Sequence, residues 1–176
     1  MLDSPVDPAR HREPLGNMTF WKLFKAKTCS LTLCGATKEE VLAELVTGLI
    51  EGGSLDEGLR EEALSALRER EGLATTGVGQ NVAIPHVKIR GLERAAASLS
   101  VHPRGVEWGA VDGAPVQLFF TVLRPAEESR HHDPAVHLEM MRWIARLGRE
   151  RDFRSFALQA STRTQLVDLL KEMAGV

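Results

Sequence analysis

The sequence predicts an α/β fold: a single-domain sandwich in which a mixed β-sheet is flanked by helices on both faces. Three observations carry the prediction. Compact apolar runs of strand character fall at 82–84, 95–101 and 115–123. Apolar residues recur at helical spacing over 41–50, 59–67, 134–147 and 166–173. The resulting order is strand, helix, helix, strands, helix, helix, helix, with no internal repeat.

Each element has its own local signal. Residues 28–34 (Thr-Cys-Ser-Leu-Thr-Leu-Cys) alternate apolar and small polar side chains, which predicts a short strand ended by Gly35. Thr37-Lys38-Glu39-Glu40 is a capping box, with Thr37 as the cap and Glu40 reaching back. The helix it opens carries Val41, Leu42, Leu45, Val46, Leu49 and Ile50 and stops at Gly52-Gly53. A second helix from about Asp56 to Glu71 or Gly72 turns Leu59, Ala63, Leu64 and Leu67 to one face. Thr75 to Gly79 reads as a loop of little side-chain bulk, followed by the buried strand Val82-Ala83-Ile84. Pro85 forbids a helix there and holds Ile84 extended. Val106-Glu107-Trp108 and the turn Val111-Asp112-Gly113 predict a hairpin between the two longer strands. A helix from Pro134 to Leu147, another near 150–159 and a last one from Ser161 or Thr162 complete the chain.

Length and composition bound the function. A chain of 176 residues with 43% hydrophobic and 26% charged residues predicts one soluble-type domain with a core of its own. Net charge is −2, from 24 acids against 22 bases, which excludes a strongly basic nucleic-acid binder. No apolar run is long enough for a membrane span, so no membrane insertion is expected. Cys29 and Cys34 would lie on opposite faces of a strand, so no bridge between them is expected, and a reducing cytoplasm fits. Residues 1–17 hold three Pro, three acids and three Arg or His, and read as a disordered leader before a domain over 18–176. Two readings of the leader stand open: a true start at Met18, or an ordinary tail.

His86 is the residue that draws chemistry. It follows Ala83-Ile84-Pro85 at the end of a buried strand, where the sheet would hold its ring rigidly at an edge. A lone histidine is more often a core residue satisfied by a carbonyl than a reactive group, but its context differs. The run Arg70-Glu71-Gly72-Leu73-Ala74-Thr75-Thr76-Gly77-Val78-Gly79-Gln80-Asn81-Val82-Ala83-Ile84-Pro85-His86 closely resembles the phosphorylation-site motif of bacterial phosphotransferase-system IIA domains. The class resembled is the fructose–mannitol and nitrogen-regulatory one. In it an Arg-Glu pair precedes a Thr-Gly-hydrophobic-Gly loop, and the run ends in Ala-hydrophobic-Pro-His. The likeness extends in length and element order from about Thr28 to Met173.

The resemblance implies that His86 accepts phosphate from an HPr-like phosphocarrier protein. It implies a second histidine in a His-Leu pair at the start of the long helix, matched by His137-Leu138. A neutral imidazole is a competent nucleophile near pH 7. Phosphoryl transfer then needs positioning and charge neutralisation, which Arg70 would supply as a fork and Gly77 and Gly79 through backbone N–H groups. Thr76 would offer a hydroxyl. The plainer alternatives are a helix-end arginine, a turn-forming threonine and, for His137, a partly exposed helix residue without a task. No cofactor is implied. His131, His132, Asp133 and His137 invite a zinc reading, but adjacent histidines seldom ligate one ion, and a solvated loop is the better reading.

Two departures from the family pattern stand out. Val87 occupies a place that is usually Gly, where a side chain would narrow a partner's approach. The connection over 127–134 is a few residues longer than the common form. The expected function is a cytoplasmic phosphocarrier or regulator of the nitrogen branch, acting through phosphorylation-dependent binding of a regulated protein. The alternatives are a sugar-transport IIA that passes phosphate to a IIB domain, and a degenerate binding module that is never phosphorylated.

Overall fold

The computed structural model describes residues 17–127 and 131–175, so the leader expected over 1–17 falls outside it except for Asn17. Among the described residues, helices cover both faces of a five-stranded mixed sheet, as the periodicities predict. The capping box forms: the Thr37 hydroxyl accepts from Glu40 N–H, and the Glu40 carboxylate accepts from Thr37 N–H. It opens α1 (Lys38–Glu51), which ends at Gly52. A Cβ at Gly52 would lie 2.8 Å from the Lys27 carbonyl oxygen, so only glycine allows this approach. After a 3-10 turn capped by Asp56 comes α2 (Arg60–Leu73).

The sheet comprises β1 (Gly77–Gly79), β2 (Val82–Ala83), β3 (His86–Ile89), β4 (Ala96–Val106) and β5 (Val116–Pro125). β2 and β3 both run parallel to β5 along the same edge, with Val82 opposite Leu118 and His86 opposite Val122. They are one strand interrupted at Ile84-Pro85. The proline has no N–H for the ladder, although its carbonyl still accepts from Val122 N–H at 2.9 Å. β4 pairs antiparallel with the other edge of β5, through the predicted hairpin connection. The remaining helices are α3 (Pro134–Arg149), α4 (Arg151–Gln159) and α5 (Arg163–Glu172).

β5 alternates its side chains between two cores. Leu118, Phe120 and Val122 pack with Trp143, Phe153 and Leu166 of α3–α5. Phe119 and Leu123 pack with Val41, Leu45 and Leu67 of α1 and α2.

Three local expectations change. The strand expected over 28–34 is instead a 3-10 turn at Ala26–Thr28 followed by an edge segment with one bridge, Ser30 to Ser100. Backbone pairing is confined to Val101, which donates to the Ser30 carbonyl and accepts from Leu33 N–H, while at the ends Thr28 Oγ1 donates to the Ala97 carbonyl and Cys34 N–H goes to the Glu44 carboxylate. The loop expected at Thr75–Gly79 contains β1, closed onto β2 by Gln80 and Asn81 at φ 56° and 65°. Both residues are left-handed, as a tight primed turn requires. Finally, His86 begins β3 rather than ending β2.

Candidate active site

His86 is half-buried at the break between β2 and β3. Its Nδ1 lies 2.7 Å from the Ile84 carbonyl oxygen. A carbonyl can only accept, so Nδ1 carries the proton and Nε2 keeps its lone pair. Burial holds the ring below the ordinary histidine pKa. The Ile84 bond opposes that shift, and the positive charges of Arg70 and Arg124 reinforce it. The site therefore presents a neutral imidazole with a fixed tautomer at neutral pH.

Strand alternation decides what surrounds the ring. His86 and Lys88 point to one face of β3, and Arg124 stands opposite Lys88 on β5. Val87 points the other way and packs against the α1–α2 core. The narrowing expected from a side chain at Val87 therefore has no basis, because that side chain is turned from the His86 face.

His137 sits in the first turn of α3, as expected. Asp133 caps this helix through Ala135 N–H at 2.9 Å, and Pro134 opens it. The His137 ring is pushed down to about 4, chiefly by burial, then by the charges of Arg124, His132, His86 and Lys88. Its Nδ1 is buried and, among the described residues, meets no hydrogen-bond partner. The ring is neutral at pH 7 and surrounded by positive potential, an arrangement that favours an incoming anion. Arg70 lies near the end of α2, where Nη1 donates to the Ala74 carbonyl at 2.7 Å. That bond anchors one arm of the guanidinium, while its charge still acts on His86. His86, Arg70 and His137 are thus brought into one electrostatic neighbourhood.

Residues 22–173 match the family described as "Phosphoenolpyruvate-dependent sugar phosphotransferase system, EIIA 2". The chain belongs to this family. A fructose-specific EIIA component from Haloferax volcanii is 33% identical over 138 residues, 78% of this chain and 85% of that protein. A nitrogen regulatory protein from Pseudomonas aeruginosa is 30% identical over 139 residues, 79% of this chain and 86% of that one. Among solved structures, the nitrogen regulatory protein IIA-Ntr from Neisseria meningitidis superposes with a TM-score of 0.75 at 25% identity, covering 85% of this chain and 97% of that one. The mannitol IIA of Escherichia coli, solved in complex with phosphorylated enzyme IIB, shares the fold at a TM-score of 0.67 and 18% identity, covering 85% and 97%.

Two of the other expected phosphate ligands of this EIIA 2 chain, Thr76 and Gly77, have their donors engaged within the chain. Thr76 is buried, its hydroxyl donating to Glu71 at 2.5 Å and accepting from Trp108 Nε1 at 3.1 Å. No hydroxyl hydrogen remains for a phosphate oxygen. Gly77 N–H goes to Thr75 Oγ1 at 3.1 Å, and a Cβ there would lie 2.8 Å from Ala110. Gly79 adopts φ +92°. These three residues build the hairpin that leads into His86.

Residues absent from the sequence-level site now join it. The Glu71 carboxylate accepts from Thr76 N–H at 3.0 Å and from Lys38 Nζ at 3.2 Å, and Lys38 lies 5.5 Å from the Trp108 ring centre. This network ties the ends of α1 and α2 to the hairpin. One helical turn relates Glu71 to buried Leu67, a spacing that already turned it inward. Lys88 and Arg124 were signalled too: one lies two residues past His86 on the same strand face, the other is a lone charge at the end of an apolar run. Among the described residues, no group of three or more His, Cys, Asp or Glu is placed to hold a metal. None of the described helices is long and apolar enough to cross a membrane.

Proposed function

We propose that this chain is a phosphocarrier that takes a phosphoryl group on His86 Nε2 from an HPr-like donor. The observation that carries the reading is the 2.7 Å bond from Nδ1 to the Ile84 carbonyl, which leaves Nε2 as the nucleophile. Transfer forms an Nε2–P bond as the donor's N–P bond breaks, and the donor's imidazole leaves with the electron pair. The new bond places positive charge on the His86 ring, which strengthens the Nδ1–H bond to Ile84. Arg70, Arg124 and Lys88 balance the phosphoryl charge. His137 assists and does not accept.

Exposed apolar side chains support a protein as donor and recipient. Leu73 ends α2, Val78 lies on β1, and Leu138 follows His137. These elements adjoin the site, and exposed apolar side chains are the kind of surface on which protein partners dock.

For the recipient we put a regulated protein of the nitrogen branch first, in the cytoplasm, with phosphorylation selecting the partner. The similarity to the IIA-Ntr structure and to the Pseudomonas protein supports this. The similarity to the fructose-specific EIIA component supports a second reading, transfer to a sugar-specific IIB domain. The test is a phosphoenolpyruvate-driven relay with an HPr-like donor. Labelling of His86 is expected, and its absence would return the chain to a non-phosphorylated module. Chasing the labelled protein with a fructose-type IIB domain separates the branches: retained label favours regulation, and rapid loss favours transport.

A further inference from the structure

We infer that the pocket between the Asn17–Leu23 turn and the start of α3 binds a small organic carboxylate with an apolar body, and that this ligand controls the charge of His137. The pocket encloses about 300 Å³, the lower end of the size range of small-molecule sites. Its floor is apolar and fixed. Phe20 and Met140 are 4% and 2% exposed, and Leu23 and Val136 extend the surface. Its rim is cationic. Arg94 is exposed and, among the described residues, pairs with no carboxylate. The one acid in the lining, Asp133, directs Oδ1 to Ala135 N–H as the α3 cap. A single fork above an apolar floor suits a carboxylate with a hydrocarbon tail. A phosphate would call for more donors.

The pocket is not the phosphoryl site, since His86 does not line it. The two share one residue, His137. His132 also lines the pocket, and its ring meets that of His137 edge-on at a centroid distance of 5.9 Å. The titratable groups around His137 are Arg124 on β5, Lys88 and His86 on β3, His131, His132 and the Asp133 carboxylate before α3, and Arg94 across the pocket. Burial is the larger cause of the ring's low pKa, and the neighbouring bases add to it. A carboxylate bound among them opposes the positive charges and moves the His137 pKa up from about 4. If His86 is the phosphate acceptor, an imidazolium at His137 then holds the phosphoryl group and lengthens its life. That last step rests on the phosphocarrier reading; the binding does not.

The test uses the full unphosphorylated chain, with hexanoate as the probe and hexanamide as its uncharged counterpart. Binding is read from the Met140 methyl signal, assigned with Met140→Leu, and from the titration of the His137 ring. Hexanoate should shift Met140 saturably and raise the His137 midpoint. Hexanamide should bind about tenfold more weakly and leave that midpoint unmoved. Arg94→Ala, an exposed substitution with no packing to lose, should weaken hexanoate about tenfold and leave hexanamide unchanged. No saturable shift at tens of millimolar hexanoate would overturn the proposal. So would equal binding of acid and amide, or an unmoved His137 midpoint at saturation. Phosphoprotein lifetime with and without hexanoate is measured separately: binding without phosphorylation would refute only the carrier reading.

Discussion

Replacing Glu71 with alanine removes the acceptor on which the hairpin hangs. The carboxylate is 6% exposed and receives Thr76 N–H at 3.0 Å, the Thr76 hydroxyl at 2.5 Å and Lys38 Nζ at 3.2 Å. Deleting it strands a buried amide and a buried hydroxyl, each worth roughly 1–3 kcal/mol when left unmet. The Thr76 hydroxyl can rotate and water can enter the space, which reduces the sum. Lys38 is 37% exposed, so its ion pair adds little. The net loss should be about 3 kcal/mol, or roughly 6–12 °C in melting temperature for a chain of this size. Urea unfolding followed by tryptophan fluorescence measures it, and Trp108 in the network also reports local change. Glu71→Gln keeps one acceptor oxygen and should lose about half as much. A loss below about 1 kcal/mol for Glu71→Ala would refute the reasoning, since the network would then be incidental.

Further outcomes follow from the same geometry. Stability should fall as pH drops from about 6.5 toward 4: the His137 pKa lies below its unfolded value, so only the unfolded chain takes up the proton in that window. After solvent screening the loss should be on the order of 1–2 kcal/mol, and His137→Gln should flatten it in urea melts at stepped pH. Arg70→Lys should slow phosphoryl transfer to His86 by about 10²-fold in a timed relay assay, because a point charge replaces a fork already anchored at Ala74. An unchanged rate would make Arg70 a helix-end residue only. Gly79→Ala should destabilise by about 1–2 kcal/mol, because φ +92° penalises a Cβ that also meets Asp112 Oδ2 at 3.2 Å. Thermal melts would show it.

The layers were legible because each rests on local chemistry. The capping box at Thr37 and the apolar spacing of α1 and α5 survive in three dimensions, whereas in α3 Leu138 is exposed and Met140 and Trp143 join Ile144 and Leu147 in the core. The edge segment after Thr28 was not legible. Its alternation matches a strand, but backbone pairing is limited to Val101 and side chains of Thr28 and Glu44 take bonds at its two ends, which only tertiary placement reveals. Arg70, His86 and His137 were nominated by a motif and a pair, and the structure places Arg70 and His137 each within electrostatic reach of His86. Thr76 was assigned to phosphate because a hydroxyl beside glycines looks available, and its capture by Glu71 and Trp108 depends on residues 5 and 32 positions away. The direction of Val87 depended on where β3 begins, and a strand of four residues gives no separate signal beside Pro85.

The central claim is that Nε2 of His86 is the phosphoryl acceptor, with Nδ1 held by Ile84. The most direct measurement is NMR of the phosphorylated chain with ¹⁵N-labelled histidine, which reports which ring nitrogen is bonded to phosphorus. One acid-labile phosphohistidine is expected, coupled to phosphorus through Nε2 and absent from His86→Ala. Phosphorus on Nδ1, on His137 or on any residue that persists in His86→Ala would contradict the account.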